Sequence, residues 1–289
     1  MPEFWDRMVE LQVGSTVITL DDLDIEFVIE NDDESKAGTA EIAVYNLGQS
    51  KSAFKKDELV QLKAGYKDDY GIVFYGKIDK VWDERDGADV KTVLQASDMT
   101  KQLFMAKPIC KKYPKGTSIA DIVKDLFAEA GIPVGKIEDP GITLEKDMVF
   151  GGTTTSTPHA ILTEQILPLV NGNKIKGLQL DGALARIGEI SDLYTVFVGQ
   201  DGMGYFVKRN YNAEAIVLDS ESGLMEVQDV SEEGKKSAYK VRCIFNWRIR
   251  QGTLVQINSI TVSGNFKVTK FKHVCRGEEY YTEAEVSPL

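Results

Sequence analysis

Two long runs of alternating apolar and polar residues, one near each end of the chain, constrain its fold most strongly. The clearest case is Asp24 to Glu30, where Ile25, Phe27 and Ile29 alternate with acidic neighbours. Successive side chains of a β-strand point to opposite faces, so this spacing predicts a strand that is buried on one side. The same pattern indicates strands within residues 39–47, 58–66, 71–84 and 89–98. Five or more antiparallel strands at this spacing predict a small barrel or sandwich.

Helical spacing replaces the alternation in the middle of the chain. Between Gly116 and Ile132 one apolar stripe is formed by Ile119, Ile122, Val123, Leu126 and Phe127. Ser118 or Thr117 is predicted to cap the start of this helix, and Gly131 is predicted to end it.

Three more elements are predicted in the same region. A second helix is expected to begin near Pro158, which is a favoured first-turn residue. The stretch "GALARIGEI", residues 182–190, predicts a third, short helix. Tyr194 to Val198 and Tyr205 to Lys208 predict a hairpin around a glycine-rich turn.

The last seventy residues return to strand alternation. Strands are predicted in "YKVRCIF" and "GTLVQI", which are joined through "NWRIRQ", and again within residues 260–275 and 279–286. The order is therefore β-rich, mixed α+β, β-rich. We predict an α+β fold that is mostly β, with domains at residues 1–106, 107–215 and 216–289.

The charge and hydropathy of the sequence disfavour several classes of function. The 289 residues include 45 acids and 34 bases, which gives a formal net charge of -11. Nucleic-acid binding as the main role is disfavoured, because phosphate neutralisation needs clustered Lys and Arg. The first residues carry Glu3, Asp6 and Glu10 and resemble no signal peptide, and no apolar run is long enough to predict a membrane helix. We expect assembly in the cytoplasm.

The residues that most often carry chemistry form no known catalytic or metal motif. The three cysteines, Cys110, Cys243 and Cys275, have no CxxC spacing and are expected to be reduced. His273 and Cys275 share a strand face, which suggests a catalytic Cys-His dyad as one interpretation. Packing of the two side chains is favoured, because a dyad also needs a pocket and an orienting partner. His159 has no second ligand nearby. No cofactor, metal or catalytic residue is predicted.

Four loops have some features of a ligand site, but a turn or a linker is the better interpretation of each. Gly199 to Gly204 is glycine-rich like a phosphate loop but joins two strands, so a hairpin turn is predicted. Gly151 to Thr157 could offer N–H groups to an anion but lacks a Walker lysine, and a linker is predicted. The acidic runs Asn31 to Glu34 and Asp83 to Gly87 do not fit an EF-hand loop, and solvated hairpin tips are predicted.

Four short pieces of the first β region stand in a fixed order. They are a strand ending in Tyr45-Asn46-Leu47, a charged step from Lys55 to Glu58, a strand ending in Ala64-Gly65-Tyr66, and a "G-x-V-F-x-G-x-I" strand from Gly71 to Ile78. In this order they resemble the first barrel of phage tail baseplate hub proteins.

The C-terminal region is similar to the closing barrel of the same family. A Ser-Gly-Leu stretch at 222–224 precedes a strand, an Asn-containing corner at Asn246, a "G-x-x-V-x-I" strand and the "G-x-F-x-V" pattern that leads to His273. The helix at 116–132 and the hairpin at 194–208 occupy the positions of the family's insert. Trp247 departs from the family's pattern, which has a small residue or Pro there.

The resemblance implies two small tube-like antiparallel β-barrels with an inserted α+β domain. It also implies a trimer, whose six barrels form a pseudo-sixfold ring that adapts the tail tube to the central spike. The implied partners are the tail tube protein, the spike protein and other baseplate or tape-measure proteins, with DNA only in transit through the lumen. The implied location is the tail baseplate of a phage or phage-like particle, and no catalysis is implied.

Two other functions stay open. A carbohydrate- or receptor-binding baseplate module could use Trp5, Trp82, Tyr205 and Tyr211 as an aromatic platform. A peptidoglycan hydrolase could use two of the many carboxylates.

The corner "NWRIRQ" between two predicted strands contains the candidate interface residues. Ile249 is predicted to pack inward, with Arg248 and Arg250 on the other side. Solvated or intrachain pairing of the two arginines is favoured over a salt bridge to a neighbouring subunit, and an anion site ranks last. They are the candidate interface residues.

Overall fold

The computed structural model describes residues 6–31, 37–48, 54–99, 101–102, 106–171, 194–199, 201–208, 215–231 and 238–288. The third predicted helix, residues 182–190, lies outside this part of the chain, as do Trp5 and Tyr211. Contacts between Cα atoms divide the chain into two compact units. The flanking unit comprises residues 1–98 and 213–289, and the insert unit comprises residues 99–212.

The elements follow one another in the predicted β, α+β, β order. The first half contains β1 (Arg7–Val13), β2 (Thr16–Thr19), β3 (Ile25–Asn31), β4 (Thr39–Tyr45), β5 (Leu59–Tyr66), β6 (Asp69–Asp86), β7 (Asp89–Asp98), β8 (Cys110–Tyr113), α1 (Ile119–Glu129), β9 (Val134–Ile137) and β10 (Met148–Gly151). The second half contains α2 (Pro158–Ala160), a π-helical continuation (Ile161–Ile166), β11 (Tyr194–Val198), β12 (Gly204–Lys208), β13 (Ile216–Leu218), β14 (Leu224–Asp229), β15 (Tyr239–Ile244), β16 (Leu254–Asn258), β17 (Ser263–Arg276) and β18 (Glu279–Pro288). The prediction of an α+β fold that is mostly β is confirmed.

One 13-stranded sheet forms the flanking unit. Its main path runs β14-β15-β18-β17-β3-β4-β7-β6-β5-β1-β2, and β16 joins it at β17 with β13 alongside. The path is open between the described strands. The two β regions meet where β17 pairs antiparallel with β3, with Phe271 opposite Asn31 and Cys275 opposite Phe27. The closure of these strands into two tube-like barrels, and the three-domain division, stay predictions.

The predicted alternation is confirmed by burial. Ile25, Phe27 and Ile29 are all buried, and they belong to one apolar cluster that also contains Val255 and Val268 of the last strands. Both β regions therefore contribute to a single core, and burying this apolar surface is the main force that holds them together.

The insert unit has its own core around α1. Ser118 caps this helix by accepting a hydrogen bond from the Asp121 N–H at 3.1 Å, and Gly131 follows the helix end with φ 70°. Both positions were predicted. Thr157 likewise caps the helix that starts at Pro158. Within the described residues no helix is long and apolar enough to cross a membrane.

Candidate functional site

The corner between β15 and β16 is a hydrogen-bonded turn. The Arg248 N–H donates to the Asn246 side-chain oxygen at 3.0 Å, and the Ile249 N–H donates to the Asn246 carbonyl at 3.1 Å. Ile249 is fully buried, whereas the side chains of Arg248 and Arg250 are exposed. The predicted inward packing of Ile249, with the two arginines on the other side, is confirmed.

Two residues of the corner donate hydrogen bonds to Asp69, which lies at the start of β6. One carboxylate oxygen accepts a hydrogen bond from the Trp247 indole N–H at 2.8 Å, and the other accepts from the Arg248 guanidinium at 2.6 Å. The guanidinium also lies over the Trp247 ring, 4.6 Å from its centroid. The hydrogen bond from Arg248 lowers the pKa of Asp69; partial burial opposes this shift and the bond from Trp247 adds to it. Arg248 is therefore paired within the chain.

Gly71 explains why a tryptophan is tolerated in this corner. A Cβ atom built on Gly71 would lie 2.4 Å from Trp247 Cε3, far inside van der Waals contact. The missing side chain of Gly71 is thus the space that the indole fills. Sequence reasoning expected a small residue or Pro at position 247; here the small residue is Gly71 on β6 instead.

Arg250 differs from Arg248 in its surroundings. Its backbone N–H donates to the Thr253 hydroxyl at 3.1 Å, which fixes the turn. Across the described ranges its guanidinium makes no hydrogen bond or ion pair, and the side chain is exposed. Of the two candidate interface residues, Arg250 is the one that the fold leaves available.

A buried polar cluster lies behind the corner. His273 is fully buried, and its Nδ1 lies 2.9 Å from the Thr282 hydroxyl, which also accepts the Asn246 N–H at 3.0 Å. The ring packs against Phe245 and Phe271 at centroid distances of 5.1 and 5.0 Å. Burial lowers the pKa of His273 to about 3, so the imidazole is neutral at physiological pH. No described atom stands in hydrogen-bonding geometry to Nε2, although the Ile249 backbone offsets part of the pKa shift.

This geometry does not favour a Cys-His dyad. The His273 ring is hydrogen-bonded to Thr282, while the Cys275 thiol lies 3.8 Å from the Ile25 carbonyl. Burial raises the pKa of Cys275 to about 11 and that of Cys243 to about 12, so both thiols stay protonated. A nucleophilic cysteine needs the thiolate, which burial disfavours here. The packing interpretation is the one that the structure supports.

Three of the four loops considered as ligand sites are turns; the fourth, Asn31 to Glu34, lies outside the described residues apart from Asn31. The hairpin between β11 and β12 is closed by the Gly199 N–H donating to the Met203 carbonyl at 2.9 Å. In the linker before α2, the Thr153 N–H donates to the Ser156 hydroxyl at 3.1 Å. The tip at Asp86-Gly87 joins β6 to β7, as predicted. No cluster of metal-ligating side chains occurs in the described part of the chain.

The fold of this chain is similar to that of solved proteins, although its sequence matches no known family. No protein-family model and no curated protein matches the sequence. A solved tail protein from Neisseria meningitidis MC58 superposes with a TM-score of 0.67 at 11% identity, covering 98% of this chain and 97% of its own. The 43 kDa tail protein of prophage MuSo2 from Shewanella oneidensis gives 0.66 at 11% identity, with the same coverages.

The fold is that of prophage tail proteins. An Escherichia coli component of the type VI secretion system, which is similar in structure to the T4 bacteriophage tail proteins gp27 and gp5, also superposes, with a TM-score of 0.61 at 8% identity. It covers 96% of this chain and 76% of its own. The likeness to tail proteins therefore includes both β regions and the insert.

Sequence reasoning missed the residues that build the corner's surroundings. Asp69 and Gly71 are about 180 positions away from Trp247, and nothing in their own spacing marks them as its partners. Glu283 was missed as well. It is buried, its carboxylate accepts a hydrogen bond from Arg242 Nε at 3.0 Å, and it forms an ion pair with Lys240 at 2.7 Å. Glu283 alternates with the buried Thr282 and Ala284, and nothing in its own segment indicates that Arg242 and Lys240 pair with it.

Proposed function

We propose that this protein is a structural subunit of the baseplate hub in a phage or phage-like tail. Three copies would form a pseudo-sixfold ring that adapts the tail tube to the central spike. The observation that carries the proposal is the fold likeness to tail proteins over 98% of the chain. Its partners would be the tail tube protein, the spike protein and other baseplate or tape-measure proteins, and it would reside in the virion tail baseplate.

The single core of the flanking unit supports this role. A subunit that supplies two positions of a sixfold ring must hold two β regions in a fixed arrangement. Here the β17–β3 pairing and the Asp69 contacts to Trp247 and Arg248 connect the first β region to the second. Such a connection resists bending between the two regions when load is applied to the ring.

The polar face of the sheet is compatible with DNA transit. Four of its basic side chains are engaged by acids on nearby strands: Lys272 by Glu30, Arg276 by Glu41, Lys240 by Glu283 and Lys270 by Glu285. Bases that are neutralised in this way offer little attraction to phosphate, and the formal net charge of -11 acts in the same direction. DNA would pass such a surface without being held.

A role without catalysis fits the same observations. The thiols of Cys243 and Cys275 are buried and protonated, and the imidazole of His273 is buried and neutral. The groups that the sequence offered for nucleophilic chemistry therefore serve packing.

The test is the mass of the assembly in solution. Light scattering should be recorded on the protein alone and after mixing with the tail tube or spike protein of the same tail. We expect a threefold mass or a complex with one of these partners, whereas an unrelated acidic protein should leave the mass unchanged. A strict monomer that binds neither partner would contradict the proposal; a monomer in isolation would not, because partners can drive assembly.

A receptor- or carbohydrate-binding module is the second candidate, and one observation favours it. The Phe197 and Tyr205 rings stack at 5.1 Å with 8° between their planes, and Phe197 is 40% exposed on the insert sheet. Exposed aromatic rings are a common sugar platform. Loss of glycan binding in Phe197→Ala, with assembly intact, would support this function over the first.

A further inference from the structure

Part of the main sheet is a strictly antiparallel ladder of eight strands with two different ends. The path β14-β15-β18-β17-β3-β4-β7-β6 alternates direction at every step. Because the number of strands is even, the first strand and the last strand run in opposite directions. Two copies placed side by side in the same orientation would therefore bring β14 and β6 together as an antiparallel pair.

The outer side of β14 carries unpaired backbone groups. The only strand among those described that pairs with β14 is β15. The Val230 N–H donates to the Ala238 carbonyl at 2.9 Å, which identifies the hydrogen-bonded pairs of this ladder. Since such pairs alternate along antiparallel strands, the N–H and C=O groups of Val227 and Asp229 face away from β15.

The second half of β6 presents a similar edge. Pairing with β5 ends at Lys77, and from Lys80 to Asp86 the described strand neighbour is β7. The Val90 backbone is bonded to Asn46 on the far side of β7, so Val90 and its opposite residue Arg85 form a non-hydrogen-bonded pair. The same alternation turns the backbone groups of Arg85 and Val81 outward.

We propose that β14 of one copy pairs antiparallel with the Lys80–Asp86 half of β6 in the next copy. This inference rests on the proposed ring and specifies its seam. A closed cyclic assembly needs a heterologous contact between two different surfaces, and these edges are two different surfaces. Each edge also carries a partly buried valine, Val227 and Val81, packed on the core and incompletely covered.

Charge does not select this pairing. Glu226 and Asp229 on β14 are acidic, whereas this half of β6 carries the bases Lys80 and Arg85 together with the acids Asp83, Glu84 and Asp86. The exposed Met225, with 64% of its surface accessible, would be covered by the added strand. Cross-strand apolar pairs contribute to sheet stability.

The other terminal strand is a poorer partner. β2 has four residues, and joining it to β14 would make a parallel pair, because the path has an odd number of strands at that point. Parallel pairing is slightly less stable per residue. Three copies of the eight-stranded ladder would give 24 strands, and barrels larger than roughly 16 to 18 strands enclose an open channel.

Cysteine cross-linking of the full chain tests the seam. Met225→Cys and Arg85→Cys should be made singly and together in a Cys110→Ser background, because Cys110 is exposed whereas Cys243 and Cys275 are buried. A short bis-maleimide is applied to assemblies formed with the tail tube or spike protein. The double variant should give covalent dimers and trimers, a mixture of the two single variants should give dimers, and each single variant alone should stay monomeric on denaturing gels.

A backbone variant tests the hydrogen bonds independently. Val227→Pro removes an outward N–H, and proline is tolerated on edge strands when that side faces solvent. We expect about a tenfold or greater rise in the concentration needed for half-assembly, while Val227→Ala, which keeps the N–H, stays within about threefold of the unsubstituted protein. Thermal unfolding of the isolated variants checks that both are folded.

The outcomes separate the seam from the ring. A ring of normal mass without cross-links in the double variant overturns the seam and leaves the hub proposal standing. Cross-links in Met225→Cys alone indicate a twofold contact and also overturn the seam. Assembly of folded Val227→Pro at the normal concentration does the same. Absence of any assembly with either partner overturns the hub proposal and the seam with it.

Discussion

The Trp247 indole lies against the backbone of Gly71, so that one large and one absent side chain fit together between the β15–β16 turn and β6. A Cβ atom at position 71 would approach Trp247 Cε3 to 2.4 Å. We expect Gly71→Ala to lower the free energy of unfolding by about 1–3 kcal/mol, because the indole or the β6 backbone must shift. Urea denaturation measures this change. Gly48→Ala is the control, since nothing lies within 4 Å of a Cβ built there. Equal losses in the two variants would contradict the contact.

The Asp69–Arg248 pair should show measurable coupling. Asp69 accepts from both Arg248 and Trp247, and the charged pair is partly exposed, with side-chain accessibilities of 34% for Asp69 and 48% for Arg248. A double-mutant cycle with Asp69→Asn and Arg248→Gln should give a coupling energy of about 0.5–1 kcal/mol, which added salt reduces. A cycle on Lys67 and Asp6, which lie 3.7 Å apart with 68% and 70% exposure, should give a smaller value. A coupling near zero at Asp69–Arg248 would mean that the ion pair contributes nothing to the corner.

His273 should make the protein less stable in acid. Burial lowers its pKa in the folded state to about 3, from an ordinary value of 6.5, so the unfolded chain binds the proton more tightly. Stability therefore falls as pH drops below about 6.5, by up to about 1.4 kcal/mol per pH unit until the folded pKa is approached. His273→Gln should lack this contribution, so its unfolding free energy should depend less steeply on pH between pH 6 and about 4. His159 is present in both proteins, so its own effect cancels. Parallel pH profiles would contradict a neutral, buried His273.

Glu283 should matter more than its neighbour Glu285. The Glu283 side chain is 10% exposed and engages both Arg242 and Lys240, whereas Glu285 is 39% exposed and pairs with Lys270. Burial raises the pKa of Glu283, but the two bases outweigh it and the net shift is downward. We expect Glu283→Gln to cost about 1.5–3 kcal/mol of unfolding free energy, and Glu285→Gln to cost less than about 1 kcal/mol. Similar losses, measured by urea denaturation at neutral pH, would show that burial does not distinguish the two carboxylates.

Local patterns in the sequence were sufficient for many of the elements but not for their partners, and the strands β1, β2, β8, β9 and β10 were not predicted. The strand at Ile25 to Asn31, the Ser118 cap and the helix start at Pro158 all follow from spacing and turn chemistry within a few residues. These features depend on short-range geometry, which a single sequence displays directly.

Long-range contacts lack such a signal. Asp69 at the start of β6 and Trp247 in the turn between β15 and β16 belong to segments that do not pair as strands, and neither residue is unusual in its own segment. The arginines at the corner show the same limit. The pattern placed both on the polar side, but only the fold reveals that Arg248 has an intrachain partner and that Arg250 does not within the described residues.

Arg250 is the residue at which an interface should now be sought. Arg248→Glu places an acid beside Asp69, so it should lower the free energy of unfolding through like-charge repulsion, by about 1 kcal/mol. Arg250→Glu should leave unfolding within about 0.5 kcal/mol of the unsubstituted protein, because its side chain is exposed. If Arg250 pairs with an acid of the neighbouring subunit, Arg250→Glu should raise the concentration needed for half-assembly by about tenfold, and Arg250→Gln by less. Sedimentation velocity with the tail tube or spike protein present measures both. Normal assembly of Arg250→Glu would remove this residue from the interface, and the ring would then depend on other contacts.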